Sequence, residues 1–152
     1  MCSWSCCTSI HTDTVGNERF RAMTAMYFRA AHAVVVGFDL TRRESLDECD
    51  SWVADVRARG VPGCVVAAVG NKSDLVGARE VLPWDARAHF GAFEPPVPYF
   101  ETSARTGAGV DALFDAVARN ALHQFPDVLT APNENTSTDF AVPVESGKCI
   151  VC

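Results

Sequence analysis

Two short apolar runs rich in β-branched residues predict buried strands. Ala33 to Leu40 has the sequence A-V-V-V-G-F-D-L, and Cys64 to Gly70 has the sequence C-V-V-A-A-V-G. Each run is almost continuously apolar instead of alternating, which is typical of a strand covered on both faces. A weaker run from Val97 to Thr102 predicts a third strand.

Three helices are predicted between and after these strands. Apolar residues recur at helical spacing from Leu46 to Val56, after polar start signals at Thr41 to Ser45. Pro83 suits the first turn of a second helix, which carries Trp84, Ala88 and Phe90. A third apolar rhythm runs from Val110 to Ala121 and stops at Phe125-Pro126.

The alternation of strand and helix predicts an α/β fold, in which right-handed crossovers place helices on both faces of a doubly wound parallel sheet. We divide the chain into an irregular segment at residues 1–12, a domain at 13–126 and a tail at 127–152. The tail is rich in Pro, Asn, Thr, Ser and Glu, so it cannot bury enough apolar surface to offset its ordering entropy. We therefore expect a disordered C-terminal tail.

Length and charge restrict the class of protein. The chain has 152 residues, enough for one domain, and a formal net charge of −6. An acidic chain without a basic stripe is a poor ligand for phosphate backbones, which argues against nucleic acid as a partner. The sequence has no apolar run of the ~18 residues that a membrane span requires, and its first residues do not resemble a signal peptide. We expect a cytosolic protein.

Seven cysteines are present, an odd number without the spacing of a disulfide framework. Cys49 and Cys64 lie in apolar segments and are expected to act as small buried hydrophobes. A zinc set could be drawn from the N-terminal residues, but no second paired ligand motif follows it, the candidates being Cys2, Cys6, Cys7 and His11. We therefore predict no protein-ligated metal.

Polar motifs accompany all three predicted strands. Asn71-Lys72-Ser73-Asp74 follows the second strand, Glu101-Thr102-Ser103-Ala104 follows the third, and Asp13 to Phe20 precedes the first. In a doubly wound sheet, ligands bind beyond the carboxyl ends of the strands. An isolated motif of this kind can equally be a polar turn that bonds its own backbone, but three of them in one order favour a binding site.

These motifs resemble those of the small GTPases. Asp13 to Phe20, D-T-V-G-N-E-R-F, resembles D-T-A-G-Q-E-R-F, Asn71 to Asp74 resembles N-K-x-D, and Ser103-Ala104 resembles S-A-K. Within that superfamily the stretch from Arg19 to His32 is similar to the R-F-x-x-L-x-x-x-Y-Y-R-G-A of Rab proteins. The resemblance covers Asp13 to about Phe125 and the last four residues. It implies the sheet of the small GTPases, of the P-loop NTPase type, in incomplete form.

The resemblance implies a set of guanine-binding residues. An ionised carboxylate such as Asp74 accepts two parallel hydrogen bonds, which the N1–H and the amino group of guanine can donate and adenine cannot. By resemblance, the other base contacts come from Asn71, Lys72, Ser103 and Ala104. Arg105 replaces the usual Lys of S-A-K, and its guanidinium can stack on the base.

The resemblance also implies GTP and GDP as ligands, with magnesium. Asp13 and Gly16 match the residues that approach the magnesium water shell and the γ-phosphate. Asn17 occupies the position of the Gln that orients the attacking water. Asn is shorter than Gln by one methylene, roughly 1.5 Å of reach, so slow or absent hydrolysis is expected.

The phosphate-binding motif G-x-x-x-x-G-K-[ST] is not found among the 152 residues. In the resembled fold the first strand, which leads into that motif, is central, so we expect an unpaired sheet edge at Val34 to Asp39. Contacts to the base alone are expected to supply ~4–6 kcal/mol, roughly millimolar to tens of micromolar affinity. The sequence is compatible with an N-terminally truncated Rab.

The last residues, Cys149-Ile150-Val151-Cys152, have the C-a-a-X form and resemble Rab tails with two cysteines. Prenylation of Cys149, Cys152 or both would tether the domain to a membrane, and two free cysteines on a flexible tail are the alternative. The resemblance therefore implies prenylation machinery and Rab effectors as partners. It places the protein on the cytoplasmic face of endosomal or vesicle membranes, or in the cytosol if unprenylated.

Two functions follow from these observations. The first is a Rab-like GTP/GDP-binding switch in vesicle traffic, which would recruit effectors through the region from Asn17 to Phe28. The second is a lipid-anchored interaction module, or a truncated gene product, without a nucleotide cycle. Genomic sequence upstream of Met1 would discriminate between them, because an in-frame phosphate-binding motif would favour the first.

Overall fold

The computed structural model describes residues 8–11, 31–126 and 148–151. Its strands and helices alternate through the central part of the chain, as the sequence predicts. A single 3₁₀ turn, Val76–Ala78, lies between the third strand and the second helix. The elements in order are β1 Thr8–His11, β2 Ala31–Asp39, α1 Arg43–Arg59, β3 Val65–Asn71, α2 Pro83–Gly91, β4 Tyr99–Glu101, α3 Val110–Gln124 and β5 Lys148–Val151.

The five strands form one sheet in the order β1-β5-β2-β3-β4, and every neighbouring pair is parallel. This confirms the predicted α/β class and the parallel sheet. In the β2–β3 pair, Ala33 lies opposite Val65 and Asp39 lies opposite Asn71. In the β3–β4 pair, Gly70 lies opposite Glu101. The carboxyl ends of β2, β3 and β4 therefore lie side by side.

The two ends of the chain differ from the sequence-based expectation. Thr8–His11 forms a strand inside the segment expected to be irregular, and Lys148–Val151 forms a strand at the end of the expected flexible tail. β5 pairs with Ala31 to Val35 of β2, so the unpaired edge expected from Val34 to Asp39 is wrong at Val34 and Val35. The physical reason is that a buried strand edge without a partner leaves its backbone groups unsatisfied, and β5 supplies hydrogen bonds there. Residues 127–147 lie outside the described part.

Helices cover both faces of the sheet. On one face α1 and α2 pack on β2 through a cluster that includes Val34, Val36 and Phe38, each at most 4% exposed. On the other face α3 packs through Leu113 and Val117 against a second cluster of buried residues, which also contains Ala33, Val35, Ala67 and Val69. Burial of both faces explains why the strands are almost continuously apolar.

Helix α2 begins at the predicted proline but buries a different set of side chains. Its core residues are Ala86 and Phe90, whereas Trp84 is 64% exposed and Ala88 is exposed. The ring of Phe90 packs against several aromatic rings of the core, those of Phe38, Phe93 and Tyr99. The predicted faces of α1 and α3 are confirmed, since Leu46, Cys49, Val53 and Val56 of α1 and Leu113 and Val117 of α3 are buried.

Two glycines shape the loop between β4 and α3. Gly109 precedes α3 with φ of +74°, and Gly107 has φ of +79°. A Cβ atom on Gly109 would lie 2.1 Å from the carbonyl oxygen of Glu101, whereas one on Gly107 would meet no atom within 4 Å. The backbone that leads into α3 therefore approaches the β4 backbone closely at Gly109 and not at Gly107.

We predict that Gly109→Ala lowers the free energy of unfolding by at least about 3 kcal/mol, because a steric clash with the β4 backbone adds to the left-handed backbone penalty. Gly107→Ala is the matched control and should cost about 1–2 kcal/mol, since it carries the backbone penalty alone. Urea unfolding followed by circular dichroism measures both. Equal losses in the two variants would contradict the close approach.

Candidate functional site

The two predicted motifs lie side by side beyond the carboxyl ends of β3 and β4. We call residues 71–74 the first loop and residues 102–105 the second loop. The backbone N–H of Ser73 donates to the carbonyl of Thr102 at 3.0 Å, and the N–H of Thr102 donates to the carbonyl of Gly70 at 2.9 Å. The structure thus brings together Asn71, Lys72, Asp74, Ser103, Ala104 and Arg105.

The side chain of Asp74 is held by the second loop. The Ser103 hydroxyl, which is fully buried, donates to Asp74 Oδ1 at 2.6 Å. The other oxygen, Oδ2, lies 3.6 Å from the guanidinium of Arg105, whose side chain is 79% exposed. The hydrogen bond from Ser103, helped by Arg105, lowers the pKa of Asp74 despite the opposing effect of desolvation. Asp74 is therefore an ionised, acceptor-only group at neutral pH.

Asn71 joins the two loops through its side-chain oxygen. Its Oδ1 accepts hydrogen bonds from the N–H of Lys72 at 2.7 Å and from the N–H of Ala104 at 3.1 Å. Both bonds use the amide as an acceptor, so the amide nitrogen is the end of Asn71 that can donate to a ligand. The N–H of Ala104 is thus used by the Asn71 side chain, which ties the second loop to the first.

Lys72 is fixed by Asp39, a residue that the sequence analysis missed. Lys72 has φ of +66°, and its Nζ lies 2.7 Å from Asp39 Oδ2. Asp39 Oδ1 accepts from the N–H and the hydroxyl of Thr41 at 2.8 and 2.6 Å. Burial tends to raise the pKa of Asp39, but the bonds from Lys72 and Thr41 outweigh it and lower the pKa. Its place at the end of the first predicted strand is the sequence signal that could have identified it.

The other predicted functional residues lie either outside the described residues or outside the two loops. Asp13, Gly16, Asn17 and Cys152 lie outside the described residues. Cys149 lies in β5, where its Cα is in register with Ser9 of β1 and Ala33 of β2. Arg105, expected to stack on a base, pairs with Asp74 here.

The described residues contain neither a metal-binding cluster nor a membrane-spanning helix. Among residues 8–11, 31–126 and 148–151, no group of three or more His, Cys, Asp or Glu side chains is arranged to hold a metal ion. Within the same ranges, no helix combines the length and the apolar character needed to span a bilayer.

A parallel sheet covered by helices, with polar side chains beyond the carboxyl ends of its strands, is the arrangement in which α/β proteins place a ligand site. A sequence profile of the Ras family matches residues 5–123. The chain belongs to this family of small GTPases.

Its relatives place it among the Rab type. Ras-related protein RABF2b of Arabidopsis thaliana is 40% identical over 107 residues, covering 70% of this chain and 52% of the relative. Human Ras-related protein Rab-22A is 37% identical over 107 residues, covering 70% and 54%. Mouse Ras-related protein Rab-19 is 34% identical over 148 residues, covering 90% and 66%. The chain thus spans between about half and two thirds of the length of these curated relatives.

We predict that Asp39→Asn lowers the free energy of unfolding by about 1 kcal/mol at pH 5–7, the size expected of a partly exposed ion pair. Because the folded-state pKa of Asp39 lies below its ordinary value of about 3.9 in an unfolded chain, the stabilisation is present above that value and disappears as the pH falls through the folded pKa. The difference between wild type and variant should therefore shrink below about pH 4. Urea unfolding at each pH measures it.

The control for this experiment is Asp115→Asn, which removes an exposed helical ion pair with Arg119 of 3.8 Å. It should change the unfolding free energy by less than about 0.5 kcal/mol. A wild-type minus Asp39→Asn difference that stays constant down to pH 3 would contradict the assigned role of the Asp39–Lys72 pair.

Proposed function

We propose that the first and second loops bind the base of GTP and GDP, and that the protein is a Rab-like nucleotide-dependent switch in vesicle traffic. One observation carries the proposal: Asp74 is an ionised carboxylate whose position is fixed by Ser103 at 2.6 Å. Membership of the Ras family and the similarity to Rab proteins support it.

The residues present fit a guanine base. Asp74 can accept hydrogen bonds from the N1–H and the 2-amino group of guanine. Adenine cannot donate both of these bonds, because its N1 is an acceptor. The amide nitrogen of Asn71 is a donor suited to the acceptor atoms of the base. The backbone N–H groups of Ser103, Ala104 and Thr106 already donate within the protein. The alkyl chain of Lys72, held by Asp39, can lie along one face of the ring, and Arg105 can stack on it.

Phosphate binding and hydrolysis are assigned by resemblance alone. Asp13 and Gly16 would approach magnesium and the γ-phosphate when nucleotide is bound, and Asn17 would stand where a longer Gln orients water. Magnesium would supply charge neutralisation at the phosphates. Because Asn17 is the shorter side chain, we propose that hydrolysis is slow. We further propose that effectors bind the region from Asn17 to Phe28.

We predict that these 152 residues bind GDP with millimolar to tens of micromolar affinity, about 4–6 kcal/mol, and do not bind ADP. Asp74→Asn should lose GDP and gain XDP, because its amide offers one acceptor for N1–H and one donor for the 2-oxo group of xanthine. Isothermal titration calorimetry measures the affinities of the wild type and of Asp74→Asn for GDP, ADP and XDP.

Asp111→Asn is the matched control, since Asp111 lies in the first turn of α3 outside both loops, and it should keep the preference for GDP. A folded wild-type chain that binds ADP as well as GDP would contradict guanine recognition. A folded chain that binds neither nucleotide would favour the second hypothesis, an interaction module without a nucleotide cycle.

We also propose that Cys149, Cys152 or both are prenylated and that the lipid holds the protein on the cytoplasmic face of endosomal or vesicle membranes. The resemblance of the last four residues to C-a-a-X supports this assignment. The tail carries few basic residues, so the lipid would have to supply the membrane affinity.

We predict that the chain incorporates label from a radioactive prenyl diphosphate in a cell extract, and that Cys149→Ser/Cys152→Ser abolishes incorporation. Each single variant should show which cysteine is used. Cys64→Ser, a change at a half-buried thiol outside the tail, is the control and should be labelled like the wild type. Unchanged labelling of the double variant would disprove the assignment.

A further inference from the structure

Arg79, which lies outside the predicted motifs, forms a two-point ion pair with Glu101, the first residue of the motif Glu101-Thr102-Ser103-Ala104. Arg79 Nη1 donates to Glu101 Oε1 at 2.9 Å, and Arg79 Nη2 donates to Oε2 at 2.6 Å. The Tyr99 hydroxyl donates to Oε1 at 2.9 Å. Only 14% of the Arg79 side chain and 25% of the Glu101 side chain are exposed. The bonds from Arg79 lower the pKa of Glu101 although burial opposes them, so the pair remains charged.

The pair joins segments on which guanine recognition would depend. Arg79 directly follows the 3₁₀ turn Val76–Ala78, where the chain that started at Asn71 turns back towards the sheet. The next two backbone N–H groups, those of Glu80 and Val81, donate to the carbonyl of Leu40 at 2.9 and 3.1 Å. Glu101 ends β4 and immediately precedes the second loop. The ion pair thus connects the chain that follows the first loop, at Arg79, to the end of the strand that leads into the second loop, at Glu101.

Strand β4 needs a second constraint because its backbone pairing is short. It has three residues, Tyr99–Glu101, and lies at the edge of the sheet with β3 as its neighbour. A three-residue edge strand has few ladder bonds to define its position. A two-point arginine–carboxylate pair fixes rotation as well as distance, and the Tyr99 hydroxyl adds a third donor.

We propose that Arg79 is a positioning residue for guanine recognition, acting through Glu101 on the Asp74–Ser103 pair. Arg79 fixes the position of Glu101. Ser103 lies two residues further along the same backbone, so its position depends on that of Glu101. The Ser103 hydroxyl in turn orients the Asp74 carboxylate through a hydrogen bond of 2.6 Å. This inference rests on the proposed binding of guanine at Asp74. It adds that the selectivity of Asp74 depends on a side chain that does not touch the base.

Overall affinity cannot separate positioning from simple stabilisation, since loss of a partly buried ion pair also destabilises the fold. The ratio of GDP to IDP affinity can, because hypoxanthine keeps N1–H and lacks the 2-amino group. That ratio measures the strength of the hydrogen bond between Asp74 and the 2-amino group, and therefore how well the Asp74 carboxylate is oriented. A hydrogen bond to a charged group is strong enough to give the wild type a ratio of roughly tenfold or more.

The experiment titrates GDP and IDP into the 152-residue wild type, Arg79→Gln and Arg79→Lys, followed by NMR chemical shifts, which tolerate weak binding. The ratio should fall below about threefold in Arg79→Gln. Arg79→Lys keeps the charge but loses the two-point geometry, so its ratio should be intermediate. If Arg79→Gln does not fold, the lysine variant decides the matter.

Arg57→Gln is the matched control. Arg57 donates to the carbonyls of Glu94 and Pro95 and lies 5.3 Å from the Phe93 ring centroid, so its loss removes an arginine contact without touching either loop. It should keep the wild-type ratio even if it lowers stability. Wild-type discrimination that is unchanged in folded Arg79 variants would overturn this inference alone. A wild type that binds neither nucleotide, or binds both equally, would overturn the proposed function and this inference with it.

Discussion

The register of three parallel strands is the constraint on which the site depends. Asp39 lies opposite Asn71, and Gly70 lies opposite Glu101, so the polar ends of β2, β3 and β4 meet at one edge. Both faces of these strands are buried by helices, and a shift by one residue would move each side chain to the opposite face. The core therefore fixes the register, and the register places the two loops.

The loops are organised before any ligand binds. Asn71 uses one end of its amide, and Asp74 one oxygen, to connect the loops to each other. Binding groups that are held by their neighbours lose little conformational entropy when a ligand arrives. The left-handed backbone of Lys72 and its ion pair with Asp39 likewise fix the Lys72 side chain before a ligand binds.

The sequence predicted the helices and the strands β2, β3 and β4 because their periodicity and composition are local properties. It also predicted the loops, since motifs that follow strands of a parallel sheet converge in space. It did not predict Asp39 or Arg79 as partners of the site, because Arg79 and Glu101 are 22 positions apart and meet only through the sheet register. The exposure of Trp84 was missed for a related reason: α2 is a short helix, and the packing of Phe90 decided which side faces the core.

The strands β1 and β5 were beyond local prediction, since each has four residues in a polar context and forms through long-range pairing. β5 lies between β1 and β2, with parallel neighbours on both sides. A backbone that is paired on two sides cannot lie extended in the binding groove of an enzyme at the same time. Insertion of Lys148–Val151 into the sheet and presentation of Cys149 to a modifying enzyme are therefore mutually exclusive. For the prenylation proposed above, the equilibrium between these two states would set the fraction of molecules whose Cys149 is accessible to the enzyme.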